Sequence, residues 1–110
     1  MGRFVKGDVV VIPFPYSDLS VAKRRPALVV APLDGNDLIL CQITSRNISD
    51  KYAVSLGTAD FGGGGLRNPS NIRPNRLFTA DSRIIIYQAG AIKSRKIEEV
   101  IQRIIEIITL

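Results

Sequence analysis

The apolar residues fall into blocks separated by turn chemistry, and their period changes once along the chain. Asp8-Val9-Val10-Val11-Ile12-Pro13-Phe14 is a β-branched run opened by Gly7, which predicts a strand. Pro13 and Pro15 end its regular pairing, because neither can donate to a ladder. Tyr16 to Arg25 is polar and aperiodic and predicts a loop that carries charge. Pro26-Ala27-Leu28-Val29-Val30-Ala31 predicts the next strand, with its proline where a missing N–H does least harm. Asp34-Gly35-Asn36-Asp37 is a hairpin signal leading into Leu38-Ile39-Leu40-Cys41-Gln42-Ile43-Thr44. Both flanking runs are almost continuously apolar, which places them mid-sheet with two buried faces.

Beyond Thr44-Ser45-Arg46-Asn47 the chain turns. Tyr52 to Leu56 alternates weakly, as a strand with one wet face does. Gly62 to Gly65 is the one low-complexity spot and is expected to be a flexible surface loop. It lacks the Lys-Ser/Thr or strand–helix frame of a phosphate-cradling loop. Ile72–Thr79 and Arg83–Tyr87 predict one or two further strands, closed by Gly90. From there the period lengthens. Ile97, Val100, Ile101, Ile104, Ile105 and Ile108 line one helical face, with Ser94 as N-cap and Glu98 and Glu99 in the early turns. That stripe is expected to pack on the sheet. The expectation is one β-rich domain over residues 1–110, closed by a C-terminal helix.

Composition narrows the chemistry. With 110 residues the chain can bury roughly two-thirds of its unfolded surface, so a core needs no staples. There is no histidine, which removes His-based triads, paired-His ribonuclease chemistry and His-ligated metals. The single cysteine, Cys41, excludes an internal disulfide and a multi-Cys zinc site. No signal peptide or membrane-length apolar run is visible, and a lone thiol fits a reducing cytoplasm. Fifteen Lys and Arg against ten Asp and Glu leave +5, a balance suited to an anionic partner such as nucleic acid.

Three polar clusters could carry that chemistry. Lys23-Arg24-Arg25 lies at the mouth of a buried strand, where the Arg25 guanidinium can be held at modest entropic cost and offers a phosphate bidentate geometry. Thr44-Ser45-Arg46 ends the most apolar strand; its hydroxyls either grip a phosphodiester or cap the strand end. Ser70-Asn71-Ile72-Arg73-Pro74-Asn75-Arg76 surrounds another strand start. For base stacking, Phe14 and Tyr16 are the best-placed aromatics, flanking the basic loop.

These same residues carry a resemblance. Gly7 to Leu19 (GDVVVIPFPYSDL), Lys23 to Val30 (KRRPALVV), Leu38 to Ser45 (LILCQITS), Pro69-Ser70, Ile72-Arg73-Pro74 and Leu77-Phe78-Thr79 follow one another as in the MazF/PemK family of toxin endoribonucleases. The chain resembles that family over roughly residues 6 to 108. The resemblance implies a mainly β fold, a small SH3-like β-barrel with a C-terminal helix packed on the sheet, acting as a homodimer. It also implies a cytoplasmic RNase without metal or other cofactor. Such an enzyme cuts single-stranded mRNA at a short sequence and is silenced by a cognate acidic antitoxin of the MazE/PemI kind, the complex of the two binding DNA. The family's catalytic arginine and threonine match Arg25 and Thr44. RNA contacts then fall to Phe14, Tyr16, Ser17, Asp18, Lys23, Arg24, Ser45, Arg46, Arg73, Asn75 and Arg76.

The family product, a 2′,3′-cyclic phosphate and a 5′-hydroxyl, means that the RNA's own 2′-OH attacks, which suits a protein without histidine. Some branches place a carboxylate where this chain has Asn75, so the proton acceptor falls to Asp18 or to solvent. Two rivals share the fold. A non-catalytic RNA-binding module would keep the barrel without turnover. A gyrase-directed toxin of the CcdB kind depends on a tryptophan near the C-terminus, and this chain has none.

Overall fold

In the computed structural model, residues 3–15 and 22–110 are described. Seven strands form one antiparallel sheet: β1 (Asp8–Pro15), β2 (Ala22–Pro32), β3 (Asp37–Thr44), β4 (Val54–Leu56), β5 (Phe61–Gly64), β6 (Ser70–Asp81) and β7 (Tyr87–Ile92). Their order across the sheet is β4-β6-β3-β2-β1-β7-β5, and α1 (Ser94–Ile108) follows. The two edge strands are nearly consecutive in the chain. Seven strands laid flat would hold their outer strands about 29 Å apart, whereas the step from Leu56 to Phe61 reaches at most about 18 Å. The sheet therefore curls into a half-barrel, and a 3-10 turn at Thr58–Asp60 bridges its edges.

Curling gives the sheet two cores. On the concave side Val9, Leu28, Val30, Cys41, Ile43, Val54, Leu56, Ile72 and Ile92 meet Val100 and Ile104 of α1. On the convex side Val10, Ile12, Ala27, Val29, Leu38 and Leu40 pack with Phe4, Phe78, Ala80 and Ile85. β2 and β3 contribute to both, which is why their sequences show no alternation. The helix buries only part of its predicted stripe: Val100 and Ile104 are enclosed and Ile97 and Ile101 half-enclosed, while Ile105 and Ile108 face outward. Its entry is pinned by Lys93, whose N–H donates to the Asp60 carbonyl, and by Lys96, which pairs with Asp60 and Glu99 and donates to the Ser55 carbonyl.

Several boundaries differ from expectation. Lys23, Arg24 and Arg25 are not loop residues: β2 starts at Ala22 and they pair with Phe14, Pro13 and Ile12. Their backbones extend the hairpin because Pro13, a non-donor, falls within a strand that β7 stops accompanying at Val11. Arg83 lies in a 3-10 turn (Ser82–Ile84), capped by the Asp81 carboxylate, and the strand begins only at Tyr87. Ser94 is the first helical residue, and Lys93 occupies the N-cap without a side-chain bond. The weak alternation at Tyr52 yields a strand only from Val54.

The glycine run is likewise not a flexible loop, since Phe61–Gly64 pairs with β7 as strand β5. Gly64 (φ +67°) sits against Gly90, and the two backbones approach too closely for side chains. A Cβ on Gly90 would lie 2.5 Å from the Gly63 carbonyl oxygen and 2.8 Å from the Gly65 nitrogen. Gly90→Ala is expected to cost about 1–3 kcal/mol in urea unfolding. Gly63→Ala, which meets nothing within 4 Å, should change stability by no more than about 0.5 kcal/mol.

Candidate functional site

The β2–β3 ladder pairs Ala27 with Gln42, Leu28 with Cys41 and Val29 with Leu40. The pairing ends there, and continuing its register two residues further brings Arg25 toward Thr44 at the ends of the paired segments. The same row runs through Ile12 on β1, paired with Arg25, and Asn71 on β6, paired with Thr44. Ile12, Ala27 and Leu40 belong to the convex core, so Arg25 and Thr44 share the convex face where the core gives way to polar side chains. Two-residue periodicity puts Lys23 on this face and turns Arg24 to the other. The basic triplet is thus split.

Thr44 is 5% exposed. Its Oγ1 accepts the Arg46 N–H at 3.1 Å, so the strand-end cap and the candidate phosphate ligand are one hydroxyl, whose proton can still be donated. The Arg46 carbonyl accepts from the Asn71 side chain at 3.4 Å, tying the loop after β3 to β6. Ser45 and Arg46 are exposed beside it. Tyr16, Ser17 and Asp18 lie outside the described residues, and of Phe14 the described part is its place in β1, opposite Lys23.

A step further along β6, Arg73 pairs with Gln42, and the ladder then shifts so that Leu77 opposes Cys41. Pro74, Asn75 and Arg76 are therefore an inserted bulge, with Asn75 and Arg76 exposed on it. Proline explains the interruption, since it cannot donate to β3. The Arg73 carbonyl freed by the bulge accepts the Cys41 Sγ–H at 2.9 Å. Burial pushes that thiol up to about 12.

Sequence reasoning missed Asp50. Its side chain is 8% exposed; Oδ2 accepts from Arg73 Nε at 3.2 Å and Oδ1 from the Tyr52 N–H at 3.0 Å. Burial alone would raise its pKa, but the Tyr52 and Arg73 donors outweigh it and hold the carboxyl below the ordinary carboxylate value. The available signal is local: Asp50 in Ser49-Asp50-Lys51-Tyr52 forms an Asx turn, which by itself marks a loop. A cleft of about 580 Å³ at the start of α1, lined by Ala59, Asp60, Lys93, Arg95, Lys96 and Glu99, lies on the helix side, away from Arg25 and Thr44. Among the described residues no three His, Cys, Asp or Glu side chains gather as metal ligands would. Nor, among them, is any helix long and apolar enough to cross a membrane.

The curled antiparallel sheet with its closing helix is a fold shared with solved structures. An endoribonuclease in complex with its cognate antitoxin from a mycobacterial species superposes with a TM-score of 0.78 at 12% identity, covering 98% of this chain and 97% of that one. A MazE–MazF complex from Deinococcus radiodurans gives 0.78 at 20% identity over 100% and 99%. MazF alone from the same organism gives 0.74 at 21% identity over the full length of both chains. At these identities the likeness is one of fold. No curated sequence matches the chain. The family model for the PemK-like, MazF-like toxins of type II toxin–antitoxin systems matches residues 5–108, and the chain belongs to that family.

The buried thiol gives a direct check on the bulge. Its raised pKa leaves on the order of a thousandfold less thiolate at neutral pH than an exposed cysteine has. Iodoacetamide at pH 8 should alkylate Cys41 at least about a hundredfold more slowly in the folded protein than in urea. By linkage, the thiol's contribution to stability is complete below its unfolded pKa and is lost as the pH rises toward 12.

Proposed function

We propose that this toxin is a metal-independent, sequence-specific endoribonuclease that cuts single-stranded mRNA and so inhibits translation and growth. What supports the reading is that Arg25 and Thr44 belong to the convex face of neighbouring strands, each two residues beyond the last paired positions, Ala27 and Gln42. Arg25 neutralises the non-bridging oxygens of the scissile phosphate, and the Thr44 hydroxyl hydrogen-bonds the same group. The adjacent 2′-OH attacks phosphorus: a 2′-O–P bond forms and the P–O5′ bond breaks, leaving a 2′,3′-cyclic phosphate and a 5′-hydroxyl. The 2′ proton passes to Asp18 or solvent, and the leaving oxygen takes up a proton. Arginine stays charged, so its role is electrostatic stabilisation of the pentacoordinate transition state.

Lys23, Ser45, Arg46, Arg73, Asn75 and Arg76, together with Phe14, Tyr16, Ser17 and Asp18, read the splayed bases and neighbouring phosphates. Arg24, turned to the other face, is left to the general positive field. The protein acts in the cytoplasm as a homodimer, and an acidic antitoxin peptide covers the basic row, a match that the +5 charge supports.

Pure protein incubated with a long mixed-sequence RNA in EDTA should give discrete cuts with 5′-hydroxyl ends. Arg25→Ala should lower the cleavage rate by about a hundredfold or more while keeping its circular dichroism spectrum, and Thr44→Val should act in the same direction. An RNA that is shifted in a gel but stays intact would favour the non-catalytic binder, the reading that Asn75 in place of a carboxylate supports.

A further inference from the structure

The Asp50 carboxylate is nearly enclosed, yet it serves no core. It holds Arg73 Nε, so a loop carboxylate is tied to the residue just before the β6 bulge. The loop that delivers it is fixed at both ends. Thr44 Oγ1 and Asn71 hold its start through Arg46, and Arg103 of α1 donates to the Lys51 and Tyr52 carbonyls at 3.3 Å each. Arg73 lies on the same face as Arg25 and Thr44, one row along. Rows on a strand face are about 6.7 Å apart, comparable with the reach from one phosphate to the next along an extended single strand.

Holding the guanidinium by its Nε edge leaves the two Nη groups without a hydrogen bond among the described residues. They form the edge that meets a phosphate oxygen. An enclosed ion pair of this kind adds little stability over an apolar pair of similar volume, so its presence beside the polar row calls for another reason.

We infer that Asp50 is a positioning residue: its carboxylate clamps Arg73 so that the guanidinium binds the RNA phosphate next to the scissile one. The inference rests on the endoribonuclease reading above.

The sign of a charge effect tests it. Asp50→Asn raises the net charge from +5 by one, so a general electrostatic field predicts tighter RNA binding. Positioning predicts the reverse. The probe is a single-stranded RNA oligonucleotide spanning a mapped cut, with a 2′-deoxy sugar at the cut so that it binds without reacting. Asp50→Asn should weaken its Kd about tenfold and raise KM for the all-ribose substrate more than it lowers kcat. Arg73→Gln should weaken Kd similarly and reduce the salt slope of log Kd by about 0.7. In the Arg73→Gln background, Asp50→Asn should cost nothing further. Unchanged or tighter binding by folded Asp50→Asn protein, or losses that multiply in the double variant, would overturn the inference while leaving the nuclease reading intact. Should Asp50→Asn melt early, the Arg73→Gln salt slope decides: an unaltered slope overturns the phosphate contact. Wild-type protein that neither cuts nor binds the RNA overturns the nuclease reading itself.

Discussion

Pairing between β2 and β3 sets the geometry on which the site depends. Along the outer part of this ladder Ala27 faces Gln42 and Leu28 faces Cys41, and a register shift between Val29 and Ala31 separates that part from the turn at Asp34–Asp37. Side chains in a strand alternate, so a slip of one residue would send Arg25 to the helix side while Thr44 kept the convex face. The apolar residues hold the register against such a slip. Ala27, Val29 and Leu40 must reach the convex core, and Leu28, Cys41 and Ile43 the concave one. Burial on two faces thus fixes two polar groups at the end of the same strands, and positioning chemistry is a by-product of packing.

The second constraint is the proline in β6. Pro74 interrupts the ladder to β3, and the interruption needs partners for what it frees. The Cys41 thiol meets the Arg73 carbonyl, and Asp50 meets the Arg73 guanidinium. A buried thiol in place of a backbone donor, and a carboxylate from a loop, together stabilise an outward step in an otherwise regular strand. Bulges of this kind re-aim side chains, and here the inserted Asn75 and Arg76 stand exposed.

Much of the fold was legible because its signals were local. The β-branched run from Val9, the Asp-Gly turn and the 3–4 spacing of isoleucines in α1 each announce an element without reference to the rest. What was not legible depended on neighbours. Gly62 to Gly65 reads as loop by composition, yet the run through Gly64 becomes strand because Gly90 offers a backbone with which only glycines can pair so closely. Lys23 to Arg25 reads as loop by polarity, and becomes strand because β1 continues alongside it through Pro15. The same asymmetry holds for the site. Arg25 and Thr44 were visible as polar residues abutting apolar strands, whereas Asp50 has meaning only beside Arg73, 23 residues away.

Thr44 is almost enclosed, while Ser45, Arg46, Asn75 and Arg76 stand outside the regular ladder and are exposed. Any change at the hydroxyl must be accommodated by the hydrophobic interior, whereas the exposed four can be exchanged with little disturbance beneath them. Under the roles proposed for these residues, a scaffold arranged in this way can diversify which nucleotides it recognises without reopening the question of how it cleaves them.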